Sequence, residues 1–92
     1  MSNEIISFAA KAVGTNKENF YPLTNPADCA EMCAELRISV LYEHDPCEFL
    51  ACFAHNSHDP EIAHYKDHDN SRLRAWMFAA TMVAAKTQGY EP

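Results

Sequence analysis

The sequence is short of glycine, with only Gly14 and Gly89. That leaves little backbone freedom for a loop that cradles phosphate. No G-x-S-x-G, H-E-x-x-H, P-loop or dinucleotide-binding glycine pattern occurs. Long apolar runs are missing too. The longest, Ala75 to Val83, is broken by Thr81 and falls far short of a bilayer span. Met-Ser-Asn-Glu-Ile-Ile carries neither a basic start nor a cleavage site, so no signal peptide is expected. The expected compartment is then the cytoplasm, where Cys29, Cys33, Cys47 and Cys52 stay reduced. Basic residues are scarce: 7 Lys+Arg against 13 Asp+Glu give a formal charge of −6. A field of that sign excludes a general coat for duplex DNA.

What is present is ordinary globular material, 48% hydrophobic and 22% charged over 92 residues. The length predicts a single domain, 1–92. Ile5, Phe8, Ala9, Ala12 and Val13 recur at helical spacing over Ser2 to Val13, and Gly14 supplies a stop. Asn25-Pro26 is a helix start, and the helix runs to about Arg37. Its expected inner face is Cys29, Met32, Cys33 and Leu36, with Asp28, Glu31 and Glu35 in water. Arg37 to Glu43 reads as a strand, His44-Asp45-Pro46 as a turn and Glu48 to His55 as a second strand, forming an antiparallel hairpin. Polar Asn56 to Asp69 reads as a loop with at most a short turn around Glu61 to Tyr65. A last helix from Asn70-Ser71 to about Thr87 carries a core stripe of Leu73, Trp76, Met77, Ala80, Val83 and Ala84. The expected fold is α+β: a hairpin or small sheet packed with three helices, in the order helix, helix, strand, strand, helix.

Five histidines and four cysteines call for a metal test. Cys29 and Cys33 are four apart on an apolar stripe, where a reduced thiol packs as a small hydrophobe. His55-x2-His58 and His64-x3-His68 are the spacings a metal would prefer, but they match a closed zinc site poorly, and no metal or other cofactor is expected. A nucleophile with a positioned base is not legible either, so the expectation is a protein that is not an enzyme.

Charge is unevenly distributed. Asp28, Glu31, Glu35, Glu43, Asp45 and Glu48, opposed only by Arg37, give the middle −5. Lys66, Arg72, Arg74 and Lys86, opposed by Asp67 and Asp69, give the last stretch +2. Two solvated faces explain this, and so does a bipolar binding surface. On the second reading, Lys66, Arg72 and Arg74 reach phosphate or acidic side chains, while Glu31, Glu35, Glu43 and Glu48 meet basic protein. Phe78, beside Arg74, is either a boundary core residue or an interface anchor.

Two segments carry a resemblance. Tyr21-Pro-Leu-Thr-Asn-Pro-Ala-Asp-Cys-Ala-Glu-Met-Cys-Ala-Glu-Leu-Arg-Ile and Asp69-Asn-Ser-Arg-Leu-Arg-Ala-Trp-Met-Phe-Ala-Ala resemble small tailed-phage accessory proteins of the phage α/β/α-sandwich domain type. Together they cover about half the chain in the right order. Phe20-Tyr21 stands where that family has a Trp, and the hairpin that often follows the family's first helix is missing or very short. The resemblance implies a phage product acting inside a bacterium. By further analogy it implies an anti-CRISPR inhibitor that occupies a multisubunit type I-F surveillance complex and blocks target DNA binding. Lys66, Arg72 and Arg74 would then engage guide RNA or acidic protein, and the four glutamates would occupy lysines meant for DNA phosphate. The alternatives are an accessory protein that binds another host factor (replication, division or nuclease) and a small metal-binding regulator using His55, His58, His64 and His68. The small sheet's exposed edge allows a monomer or a homodimer.

Overall fold

A computed structural model describes residues 2–14, 19–44, 50–55 and 60–91, with the backbone alone described for 2–3, 42–44 and 50–55. The order is α1 (Ser2–Val13), α2 (Pro26–Leu36), β1 (Ser39–His44), β2 (Leu50–His55), β3 (Glu61–His64), a 3-10 turn (Tyr65–His68) and α3 (Arg72–Lys86). The class is α+β, as the sequence led us to expect.

Local chemistry sets most of the boundaries. Gly14, at φ 81°, ends α1 by returning its N–H to the Ala10 carbonyl at 2.9 Å. The Asn25 side chain caps α2 by accepting from the Ala27 N–H at 3.0 Å, and Pro26 fills the first position, where no N–H is needed. Arg37 closes α2 in the left-handed region, and the Ile38 N–H then reaches back to the Cys33 carbonyl at 2.9 Å. Ser71 caps α3, its Oγ accepting from the Arg74 N–H at 3.1 Å. At the far end, Gly89 and Tyr90 donate to the Lys86 and Ala85 carbonyls, a Schellman closure with glycine at its left-handed position.

The sheet has three strands in the order β1-β2-β3, both pairs antiparallel. The expected β1–β2 hairpin forms, although its turn, Asp45-Pro46, lies outside the described residues. The stretch read as a loop holds β3 and the 3-10 turn instead. β3 is only four residues, Glu-Ile-Ala-His, too short for its alternation to stand out from a polar surround. Ile62 is exposed and Ala63 buried, so one face of the sheet is covered and the other bears Ile62 and Leu41, each registered on Phe53.

α3 is the hub. The sheet packs on it through β2 and β3, and α1 and α2 pack on it as well. Seven consecutive residues, Ala79 to Ala85, are therefore buried, wider than the single stripe expected. The four alanines among them let neighbouring elements approach closely, and a helix that is apolar nearly all round is covered on more than one side. Met77, Ala80, Val83 and Ala84 are buried as the stripe predicted, and Trp76 is half-buried. Leu73 corrects it: the residue is in phase but stands exposed in the first turn.

On α2, Cys29 and Met32 are buried, and Cys33 and Leu36 pack against the core as expected. Asp28 does not face water. It is buried, because its carboxylate turns back to the chain before the helix.

Candidate functional site

The site is built where the 3-10 turn hands over to α3. Asp69 and Asn70 both adopt left-handed backbone, at φ 56° and 57°, which these two residue types tolerate best after glycine. The Asn70 N–H reaches the Tyr65 carbonyl at 2.7 Å and the Ser71 N–H the His68 carbonyl at 2.9 Å. This tight reversal sets Lys66 and His68 of the turn close along the chain to Arg72 and Arg74 of α3's first turn.

Arg74, Met77 and Phe78 follow at spacings of three and four, so one side of α3 carries all three. With His68 and with Leu23 and Thr24 of the segment before α2, they line an open cleft of about 340 Å³. Met77 and Leu23 give it an apolar lining, the His68 and Phe78 rings lie with centroids 4.9 Å apart, and Arg74 supplies a cation.

Electrostatically the corner is unusual. The first turn of α3 holds no acid and two arginines, at the end where the helix dipole favours negative charge. Each such cation costs roughly 0.3–1 kcal/mol at low ionic strength. Arg74 donates to Asp69 at 3.0 Å, but the side chains are 65% and 80% exposed, so the pair offsets little of that. Lys66 and Arg72 are exposed.

Of the residues read from sequence, Arg74 and Phe78 meet in the cleft and Lys66 and Arg72 flank it along the chain. Phe78 is half-buried rather than exposed, as a cleft wall requires. Glu31 and Glu35 are exposed one turn apart on α2 and do not line the cleft. Glu43 pairs with Ala51 in the β1–β2 ladder, and Glu48 lies outside the described residues.

Leu23, Thr24, His68 and Met77 were not read as site residues. Leu23 and Met77 look like core from their spacing, Thr24 like a plain turn residue, and His68 like half of a metal pair. What unites them is the fold-back of the segment before α2, which no local pattern reveals. Among the described residues, no three of His, Cys, Asp and Glu gather as a metal would need; His58 falls outside them. No described helix is long and apolar enough to cross a membrane.

Comparison with known proteins gives no matching family model, no matching curated protein and no matching solved structure.

Proposed function

We propose that this protein acts by binding rather than by catalysis, using the corner where the 3-10 turn meets α3 to hold an anionic surface of a larger assembly. The observation that carries this reading is the pair Arg72 and Arg74 in a first turn where folding alone favours acids. Cations retained against the helix dipole have their use outside the fold. The cleft beside them takes an apolar side chain of the partner, with Phe78 and Met77 as lining and Arg74 for a neighbouring carboxylate or phosphate.

The resemblance to phage accessory proteins supplies the particular partner: a type I CRISPR surveillance complex, bound stoichiometrically so that target DNA is excluded. Lys66, Arg72 and Arg74 engage guide RNA or acidic protein there, and exposed Glu31 and Glu35 occupy lysines that otherwise hold DNA phosphate.

The test is size-exclusion chromatography of purified protein with an intact type I-F complex, followed by a target-DNA binding assay. Co-elution with loss of DNA binding supports the inhibitor. Separate elution removes that partner. Co-elution that survives the double reversal Arg72→Glu, Arg74→Glu overturns the assigned surface.

A further inference from the structure

The sheet has one edge that the fold leaves open. β1 lies at one end of the order β1-β2-β3, and among the described residues no strand pairs with its far side. β3, at the other end, is only four residues long, whereas β1 runs for six. Proteins blunt such edges with lysine, proline, a bulge or shortness. Ser39-Val-Leu-Tyr-Glu-His holds neither lysine nor proline. Its register against β2 is unbroken from Ser39 to His44, so no bulge turns it aside. Val40 packs half-buried against the core, while Leu41, at the middle of the strand, is 56% exposed on the uncovered face.

We propose that β1 is a self-association edge: a second copy of this chain pairs with it, antiparallel, about a two-fold axis at Leu41. Opposed residues of an antiparallel pair share a face, so Leu41 can meet only Ser39, Leu41 or Glu43 of the other copy. With Leu41 opposite Leu41, Val40 meets Tyr42 and Ser39 meets Glu43. That sets apolar on apolar, β-branched on aromatic and a polar residue on an acid, with no like charges opposed. The row Leu41, Phe53, Ile62, fixed by the register within one copy, then continues across the axis into the same row of the second. The outward main-chain groups of β1 supply the hydrogen bonds.

Charge selects a second copy as the occupant. Arg37 is exposed, and it is the one base among the acids Asp28, Glu31, Glu35, Glu43, Asp45 and Glu48. It stands two residues before Ser39, and so diagonally across the pair from Glu43 of the other copy, within reach of a long side chain. The two-fold makes that contact twice. Sliding the register by two residues spoils it. One slide sets Leu41 opposite Glu43 and carries Arg37 out of range; the other pairs only Ser39, Val40 and Leu41. Because the same edge is used by both copies, the assembly closes as a dimer, and the joined sheet ends on the short β3 at either side.

The test is sedimentation equilibrium of the whole reduced protein from micromolar to millimolar concentration, with hydrogen exchange read on the same samples. The mass should move from 10.4 kDa towards twice that value. Exchange should slow with concentration at the β1 amides and not at those of β3. Leu41→Lys places like charges opposite each other at the axis, at a position exposed in the monomer, and should abolish the dimer. Arg37→Glu and Glu43→Arg should each weaken it roughly two- to thirtyfold, since every cross-strand contact occurs twice. The two changes together should restore it, which substitutions that merely damaged the fold would not do. A mass of one chain throughout overturns the proposal, and so does a mass that climbs past two chains. A dimer that survives Leu41→Lys is held elsewhere and overturns it too. Failure of the double charge exchange to restore the dimer overturns the register. If the β1 amides gain protection only beside a type I-F complex, the edge takes a foreign strand and the second copy is ruled out.

Discussion

The Asp28 carboxylate accepts a hydrogen bond from the Tyr21 backbone N–H at 2.9 Å, joining the first turn of α2 to the segment that precedes it. The Tyr21 carbonyl is also occupied, taking the Thr24 N–H at 3.1 Å and the Asn25 N–H at 2.7 Å. Both sides of Tyr21 are thus fixed, and Leu23 and Thr24, which wall the cleft, lie inside the turn they close. Asp28→Ala leaves the Tyr21 N–H without its acceptor and removes an acid from a helix N-terminus. We expect a loss of about 1–3 kcal/mol in urea unfolding. Asp28→Asn, which keeps an oxygen but not the charge, should cost less. Hydrogen exchange at the Tyr21 amide should quicken in both. A Tyr21 amide that exchanges as in wild type would show that this bond does not hold the segment.

Arg72 offers a separation of stability from function. Replacing it with Glu puts an acid in α3's first turn, where the dipole favours one, so the fold should gain roughly 0.3–1 kcal/mol at low salt and less at high salt. The same change should weaken partner binding. A more stable protein that binds worse is the signature of a cation kept for recognition. If Arg72→Glu lowers the melting temperature instead, the residue serves the fold and the binding corner loses its main support.

How much of this was legible follows the range over which each signal acts. The helices were readable because their ends are set by neighbours: Asn25 with Pro26, Gly14 after Val13, Ser71 before α3. The hairpin was readable because Ser39 to His44 and Leu50 to His55 each carry strand composition. β3 was not, since a four-residue strand earns its place by pairing with β2, a contact no local pattern encodes. Burial failed for the same reason at Asp28, whose carboxylate finds a backbone N–H seven residues away. The site was half readable. Charge and helical spacing picked out Lys66, Arg72, Arg74 and Phe78, but the opposite wall, Leu23 and Thr24, arrives only through tertiary packing.

Thr81 is fully buried in α3, and its hydroxyl makes no hydrogen bond to any described residue. A buried hydroxyl without a partner carries a desolvation cost of about 1–3 kcal/mol. Thr81→Val keeps the branched shape and removes that oxygen, so the variant should unfold at higher urea with an unchanged slope, by an amount near the lower end of that range. Thr81→Ser keeps the hydroxyl and loses a methyl, and should be destabilised. A Thr81→Val protein less stable than wild type would mean that the hydroxyl is satisfied in solution.

Arg37 ends α2 with φ 57°, a left-handed position where most such helices place glycine. A side chain there costs about 1–2 kcal/mol relative to right-handed backbone. Arg37→Gly relieves that conflict, though glycine also gives the unfolded chain more freedom. The first effect is larger, because the Arg37 and Ile38 N–H groups both return to the Cys33 carbonyl and hold the turn in place. Arg37→Gly should therefore raise the melting temperature. Arg37→Ala removes the charge but not the Cβ, so it should leave stability close to wild type. If Ala matches Gly, the charge and not the backbone sets the cost at this position, and the closure of α2 is less constrained than its hydrogen bonds imply.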